Sequence, residues 1–423
     1  MILNQAKNGL HGSITVPGDK SISHRSVMLG ALAHGTTHVT GFLMGEDCLS
    51  TIDCFRKMGV EIEVSGTDVV IHGVGLHGLR EPQEQLYTGN SGTTTRLISG
   101  ILSGQDFSCS LTGDASICKR PMGRIIKPLR EMGAEIHGVD DKFCPLSYAP
   151  AKLHGMEYVM PVASAQLKSA ILLAGLYADS PTTVIEPAPS RDHTERMFRA
   201  LGCAVETDGC RVTVTPPDEL RAVDIDVPAD ISSAAYFLVA GAIVPNSEIT
   251  IRRVGVNPTR TGILDALRMM GADITESNYI DGAESVCDLT VRTSRLHGVT
   301  IGGDIIPRLI DELPVLAIAA AFAEGETVFR DAEELKVKES NRIAAMVNEL
   351  TRCGADAVET ADGMIIRGGQ PLHPAAFETY GDHRIAMSMA VCAKAIEGAS
   401  EIRDPKVVAI SYPDFFDTLS ALE

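Results

Sequence analysis

Polar and apolar positions alternate along this chain in a plan that recurs six times. Each segment opens with polar and small residues, runs into a helix rich in Ala, Leu and Gly, and turns at Gly, Asp or Pro into a strand. The segments begin near Ser21 ("SISHRSVMLGALAHGTTHVTG"), Ser91 ("SGTTTRLISGILSGQDFSCSLTG"), Ser164 ("SAQLKSAILLAGLYADSPTTVIE"), Ser232 ("SSAAYFLVAGAIVPNSEITI"), Asp311 ("DELPVLAIAAAFAEGETVFR") and Asp382 ("DHRIAMSMAVCAKAIEGASEI"). Successive starts lie 68 to 79 positions apart. A second mark falls between them, a helix ending in Gly and then a strand: "MGVEIE", "MGAEIH", "LGCAVE", "MGADIT" and "CGADAV". Gly just past the last helical turn is the expected cap, so each unit is predicted to hold two helices and several short strands. The sixth such mark is missing, because the chain ends in the helix-like "YPDFFDTLSALE". The strand pattern "LHGSITVPG" near the N-terminus is expected to replace it and close the last unit.

Two echoing tetrapeptides, "VPGD" at Val16 and "VPAD" at Val227, break the array. Pro stiffens a crossing and the small residue after it lets the chain turn. The pattern therefore predicts an α/β protein of two domains with three units each. One spans 18–226; the other holds 1–17 and 227–423, with hinge crossings near 16–19 and 227–230. A solenoid is the alternative for any repeat, but common solenoid periods are about 20–50 residues and the two crossings interrupt a uniform stack.

Composition narrows the class. Of the 423 residues, 44% are hydrophobic and 22% charged, as in an ordinary globular protein of more than one core. Aromatics make up 4% and Trp is absent, while Gly occurs 39 times, favouring close packing around small side chains over base-stacking platforms. The formal net charge of −18 is opposite to that of a nucleic-acid binder. Ten cysteines include no C-x-x-C pair, the first residues lack a signal-peptide core, and no apolar run approaches the ~20 residues of a membrane span. The expectation is a cytoplasmic, reduced protein, a monomer that binds neither membrane nor nucleic acid.

Against that acidic background, basic residues gather where the pattern predicts helix N-termini, which themselves attract anions. Lys20, Ser21 and Arg25 open the first unit; "GNSGTTTR" supplies Asn90, Gly92, Thr93 and Arg96 in the second; "ICKRPMGR" adds Lys119, Arg120 and Arg124. "SAQLKS" offers Ser164, Gln166 and Lys168, and "SRDHTER" brings Ser190, Arg191 and His193. "LIDELP" gives Asp311 and Glu312, "LKVKESNR" gives Lys336, Lys338, Glu339 and Arg342, and "GDHR" gives Asp382, His383 and Arg384. Singly, most have a plainer reading. Ser21, Ser91, Ser164 and Ser232 are expected to cap helices, and the lysines of "LKVKESNR" fit a solvated face. Arg120 and Arg384 each abut a turn and an apolar segment, where solvation is less natural. Cations recurring at matching places in several units point to a shared anionic ligand.

Three patterns point elsewhere and fail on their context. "GVGLHG", Gly73 to Gly78, has dinucleotide-type glycine spacing, but Pro82 interrupts the segment after it and no acidic residue stands where a ribose partner belongs. "GNSGTTTR" lacks the G-K-[ST] ending of a P-loop. His34 and His38 are separated by Gly35 and Thr37, which break the helix a metal pair would need.

Taken together, "GDKSISHR", "GNSGTTTR", "KRPMGR", "SAQLKSA", "SRDHTERM", "LIDELPVLA", "LKVKESNR" and "GDHRIAM" resemble, in order and from about Gly12 to Phe416, the 5-enolpyruvylshikimate-3-phosphate synthases. The resemblance implies the inside-out fold of that family, six βαβαββ units in two domains. It also implies transfer of the enolpyruvyl group of phosphoenolpyruvate to the 5-hydroxyl of shikimate 3-phosphate, a step of the shikimate pathway to aromatic amino acids. By motif, shikimate 3-phosphate would meet Lys20, Ser21, Arg25, Ser164, Ala165, Gln166, Arg191, Asp311 and Lys338. Phosphoenolpyruvate would meet Lys20, Asn90, Gly92, Arg120, Gln166, Arg342 and Arg384. Asp311 would serve the attacking hydroxyl, and Glu339, with Lys20, would serve as the acid/base at carbon. No metal, no cofactor and no covalent enzyme intermediate is implied.

Some positions depart from the motif. Ile410 stands where some members place a Lys ahead of the "PD" pair, Leu97 replaces a Pro, and Ala165 replaces a Ser. All three resemble the subgroup less sensitive to glyphosate, whereas Gly92, with no side chain, leaves room for that inhibitor. The sister UDP-N-acetylglucosamine enolpyruvyl transferases carry a Cys five residues before the motif arginine. Here that position is Ala115, and Cys118 lies two before Arg120. A non-catalytic anion binder of the same fold is the remaining alternative, and carboxylates such as Asp311 and Glu339 beside phosphate sites argue against it.

Overall fold

The computed structural model describes all residues, Met1 to Glu423. It separates into two compact units, Gly18–Val227 and Met1–Pro17 with Pro228–Glu423.

In the Gly18–Val227 unit the helices Lys20–Leu32, Gly92–Leu102 and Ala165–Gly175 are buried almost all round. Their small residues permit this. At Gly100 a Cβ would come 2.1 Å from the Ala170 carbonyl oxygen, so only Gly lets these two helices pack so closely. More polar helices, Glu46–Lys57, Gly123–Glu131 and His193–Ala200, bury one side only. Three sheets complete the unit.

The Pro228–Glu423 unit repeats the scheme with the helices Ile231–Ile243, Leu313–Phe322 and His383–Ala395, which pack on one another and on three further sheets. A helix apolar on every side must lie inside, and the sheets, polar on one face, take the outside.

All six sheets share one topology. A central strand, such as Cys109–Thr112, has a short parallel strand on one side, here Leu86–Tyr87, and an antiparallel strand on the other, here Phe143–Ala149. The glycines of the helix–Gly–strand marks all lie at positive φ, from 88° at Gly59 to 98° at Gly133, as the cap requires. The glycines of "GVGLHG" serve packing: a Cβ on Gly73 would meet the carbonyl oxygen of Ala33 at 2.2 Å.

The closing strand corrects the sequence reading. Ile2–Asn4 pairs antiparallel with Ala399–Ile402 and completes the sixth sheet. The "LHGSITVPG" strand, His11–Ile14, instead joins the fourth sheet, parallel to Glu248–Gly255. There it takes the place that Leu220–Arg221 and Ile225–Asp226 take beside Ala33–Thr40 in the other unit. In both units the sheet of the first repeat has no short strand just ahead of it, so a segment from the far side of a crossing or the unit's own end fills the gap.

Capping also differs from expectation at two helices. Ser91 and Ser164 do cap, accepting from Thr94 and Leu167. At the other two, Asp19 and Asp230 take the capping position and accept from Ile22 and Ser232. Asp is as good a cap as Ser and in both cases stands two residues earlier, so Ser21 and Ser232 lie inside their first turns.

Candidate active site

Each unit gathers a cluster of the residues singled out by sequence. In the Gly18–Val227 unit the cluster sits at three helix N-termini. Lys20, the first residue of its helix, is ion-paired with buried Asp47. The Asp47 carbonyl in turn accepts from the hydroxyls of Thr51 and Thr94, which joins the Glu46–Lys57 helix to the Gly92 helix. Behind Lys20, His24 is fully buried with Nδ1 2.7 Å from Thr51 Oγ1. Burial first, then the Lys20 and Arg25 charges, hold its pKa well below the usual histidine value.

Arg120 is buried at the end of a single helical turn, while Lys119 and Arg124 on either side are exposed. Its guanidinium donates to the side chain of Asn90, to the Asn90 carbonyl at 3.3 Å and to Ser116 Oγ at 3.0 Å. Gly92 lies against it: a Cβ there would stand 3.3 Å from Arg120 Nη1 and 2.8 Å from Arg96 Nη1. Arg96 donates to Gln166 Oε1 at 2.7 Å, and Gln166 Nε2 donates to Thr93 Oγ1 at 3.0 Å. Asn90, Gly92, Arg120 and Gln166 thus form one connected set.

Arg25 and Lys168 carry a different kind of charge. Arg25 is buried and donates to Thr194, Ser169 and the Ser21 carbonyl, so within the unit it clamps helix to helix and steadies Ser21. Lys168, which the sequence reading grouped with the cations at helix N-termini, is 1% exposed. Its Nζ lies 2.8 Å from Glu186 and 2.7 Å from Glu195. Burial opposes the Lys168 charge, but Glu195 and Glu186 outweigh it and raise the pKa. Ser190 also donates to Glu186, so the buried triad anchors the loop that carries Ser190 and half-buried Arg191. Ser164, Ala165 and Gln166 are half-buried at the start of their helix.

In the Pro228–Glu423 unit the cluster is an ion-pair network. Arg342, 1% exposed, donates through Nε to Asp382 at 2.8 Å and through Nη2 to Glu339 at 2.7 Å, with Asp311 3.3 Å from Nη1. Arg384 donates to the Asp311 carbonyl at 3.0 Å and lies 3.9 Å from its carboxylate, and Lys338 approaches the same carboxylate at 4.0 Å. Burial opposes the Arg342 charge, but Asp382 and Glu339 prevail and raise its pKa. Asp382 is likewise opposed by burial and held below its usual value chiefly by Arg342. Asp382 also caps the His383–Ala395 helix and accepts from Ser340. Glu312 points elsewhere; it is buried and accepts from Ser232. Lys336 belongs to a turn, bonded to the Ala361 carbonyl and paired with Glu359. Ile410 ends a short turn, Pro405–Ile410, and brings no charge.

Glu61, Glu63 and His72 bring possible metal-ligating atoms within 4.8 Å of one another. They are strand residues outside both clusters, and Glu61 and His72 are simply cross-strand neighbours.

Comparison with known proteins decides the family. Residues 4–419 match the family described as EPSP synthase (3-phosphoshikimate 1-carboxyvinyltransferase). The chain belongs to the EPSP synthase family. A 3-phosphoshikimate 1-carboxyvinyltransferase of Geobacillus thermodenitrificans is 57% identical over 419 residues, 98% of this chain and 97% of that protein. One from Bacillus subtilis is 56% identical over 416 residues, 98% of this chain and 97% of its own. A solved EPSP synthase from Acinetobacter baumannii superposes with a TM-score of 0.89 at 47% identity, covering 100% of this chain and 97% of that one. The α/β fold with helices inside and sheets outside is therefore that of EPSP synthases, and the family match sets the UDP-sugar transferases aside. No helix is long and apolar enough to cross a membrane.

Two partners escaped the sequence reading. Asp47 pairs with Lys20 from 27 positions away, and Asp114 holds Asn90 from 24 positions away. Neither stands in a motif with its partner, and no local spacing marks them.

Proposed function

We propose that the chain carries out the EPSP synthase reaction with the two sets of residues described above. Phosphoenolpyruvate is protonated at its methylene carbon, which gives C2 cationic character. The 5-hydroxyl of shikimate 3-phosphate gives up its proton and its oxygen bonds to C2, forming a tetrahedral intermediate. Loss of a proton from the former methylene carbon then expels phosphate and restores the enol double bond.

Each role is carried over from the motif resemblance, and the chemistry of the residues suits it. Lys20, Asn90, Gly92, Arg120 and Gln166, joined by Arg342 and Arg384, meet phosphoenolpyruvate, whose phosphate and carboxylate suit forked guanidinium donors. Lys20, Ser21, Ser164, Ala165, Gln166, Arg191 and Lys338 hold shikimate 3-phosphate, with Arg25 supporting Ser21. Asp311 accepts the hydroxyl proton. Glu339, assisted by Lys20, delivers and removes the proton at carbon. The observation that supports this reading is the Arg342 network, in which Asp311 and Glu339, the two carboxylates given proton-transfer roles, share one buried guanidinium.

Ten free thiols suit a reducing compartment, and we place the enzyme in the cytoplasm as a monomer acting on two small molecules. The purified protein is expected to release phosphate only when shikimate 3-phosphate and phosphoenolpyruvate are both present. Release with a UDP-sugar acceptor in place of shikimate 3-phosphate, or with phosphoenolpyruvate alone, overturns the proposal.

A further inference from the structure

Asp114 lies in none of the positions that the motifs assign, yet its carboxylate bonds both Asn90 and Ser116, two residues that accept from the Arg120 guanidinium. The Asp114 carboxylate accepts three hydrogen bonds from two segments. Oδ2 accepts from Asn90 Nδ2 at 2.8 Å, while Oδ1 accepts from the backbone N–H groups of Ser116 at 2.9 Å and Ile117 at 2.8 Å. Its own backbone N–H donates to the Gly89 carbonyl at 2.9 Å, which fixes it beside the Asn90 loop.

Both receiving segments touch the guanidinium. Asn90 offers its side-chain and backbone oxygens to Arg120, and Ser116 offers its hydroxyl. The Asn90 amide thus stands between a carboxylate and a cation. In one sense its NH2 meets Asp114 and its oxygen meets Arg120. Turned over, oxygen would face carboxylate and NH2 would face guanidinium, two repulsive contacts. Asp114 therefore decides which end of Asn90 faces Arg120, and it also holds the turn that carries Ser116.

We propose that Asp114 is a positioning residue for the phosphoenolpyruvate site, acting on Arg120 through Asn90 and Ser116. This rests on the assignment of Asn90 and Arg120 to phosphoenolpyruvate. Replacement by Asn keeps the shape but cannot serve every partner: an amide at 114 that accepts from the Ser116 and Ile117 N–H groups turns its own NH2 toward Asn90.

The test has one kinetic arm and one without substrate. Asp114→Asn is expected to raise KM for phosphoenolpyruvate about tenfold, as loss of a charge-assisted hydrogen bond would. KM for shikimate 3-phosphate and kcat should each stay within about threefold, a split that general damage to the fold would not produce. In an Arg120→Ala background the same substitution should change KM for phosphoenolpyruvate less than about twofold, since its effect runs through the missing guanidinium. An unchanged KM, an equal rise for both substrates, or the same factor in both backgrounds overturns the proposal. In a crystal structure of Asp114→Asn without substrate, the Arg120 guanidinium should be displaced or disordered; an unmoved one overturns it as well. If the unsubstituted protein released no phosphate with both substrates, the assignment of the reaction would fall, and the crystallographic arm would still decide the role of Asp114.

Discussion

The two units differ in the groups described around their arginines. In Gly18–Val227 the hydrogen bonds described for Arg25, Arg96 and Arg120 end on hydroxyl, amide and carbonyl oxygens, while Lys20 pairs with Asp47 and Lys168 with Glu186 and Glu195. In Pro228–Glu423, Arg342 is set by three carboxylates. Neutral oxygens hold a guanidinium in place without cancelling its charge, as a site for phosphate and carboxylate groups requires. Carboxylates cancel charge but supply what phosphate binding cannot, groups that take and return protons. The proposed roles follow this difference in part: both proton-transfer carboxylates are assigned to one unit, and phosphoenolpyruvate to residues of both.

The sharpest way to break that comparison is kinetic. Asp311→Asn and Glu339→Gln should each lower kcat by about 10²–10⁴, the usual worth of a general acid or base. Asn90→Ala and Arg120→Lys should act mainly on KM for phosphoenolpyruvate. Steady-state kinetics with both substrates varied would show whether kcat losses follow the carboxylates; equal kcat losses in both units would erase the division.

Stability gives the next largest contrast. Arg342→Met leaves buried Asp382 and half-buried Glu339 without their cation, and breaking the buried Arg342–Asp382 pair costs about 3–5 kcal/mol. Arg120→Met strands the Asn90 and Ser116 oxygens, at about 1–3 kcal/mol. Urea unfolding of the two variants would rank them, and the reverse order would contradict the partner chemistry.

Acid should separate the units further. His24 has its native pKa held below that of the unfolded chain, so the unfolded state takes up a proton first as pH falls. Its contribution is whole above about pH 6.5 and then declines by about 1.4 kcal/mol per pH unit until the native pKa is reached. Asp382 is also depressed, but its contribution persists until pH falls below the ordinary carboxylate range. Between about pH 6 and 4.5, Gly18–Val227 should therefore loosen first. Hydrogen exchange resolved by peptide would show this, and His24→Gln should remove the difference.

The smallest effect is expected at Gly92. The atoms a Cβ would meet are the flexible ends of Arg96 and Arg120, so Gly92→Ala should change stability by less than about 1 kcal/mol while raising KM for phosphoenolpyruvate. A large fall in melting temperature would mean that the guanidiniums cannot move.

Much of the site was legible because its residues travel in short motifs at helix starts. Arg120 and Arg384 stood out where polar chemistry meets an apolar segment, and both are buried in their units. Lys168 shows the limit. It shares a motif with Ser164 and Gln166, but its place on the helix turns it inward to Glu186 and Glu195. Asp47 and Asp114 carried no signal at all, since an ion-pair partner from another segment leaves no local spacing to read.

The chain's own pattern determined the repeat, the apolar helices, the glycine turns that end their neighbours and the crowding of cations at helix starts. These are short-range properties, set by backbone geometry and by which faces must leave water. Tertiary structure alone decided which cation meets a carboxylate and which meets a hydroxyl, and which strand closes which sheet. Local pattern marked only His11–Ile14 as a strand, yet Ile2–Asn4 is one too, and the two join different sheets. Pairing of this kind is fixed by three-dimensional contact between segments far apart in the chain, and adjacent residues hold no record of it.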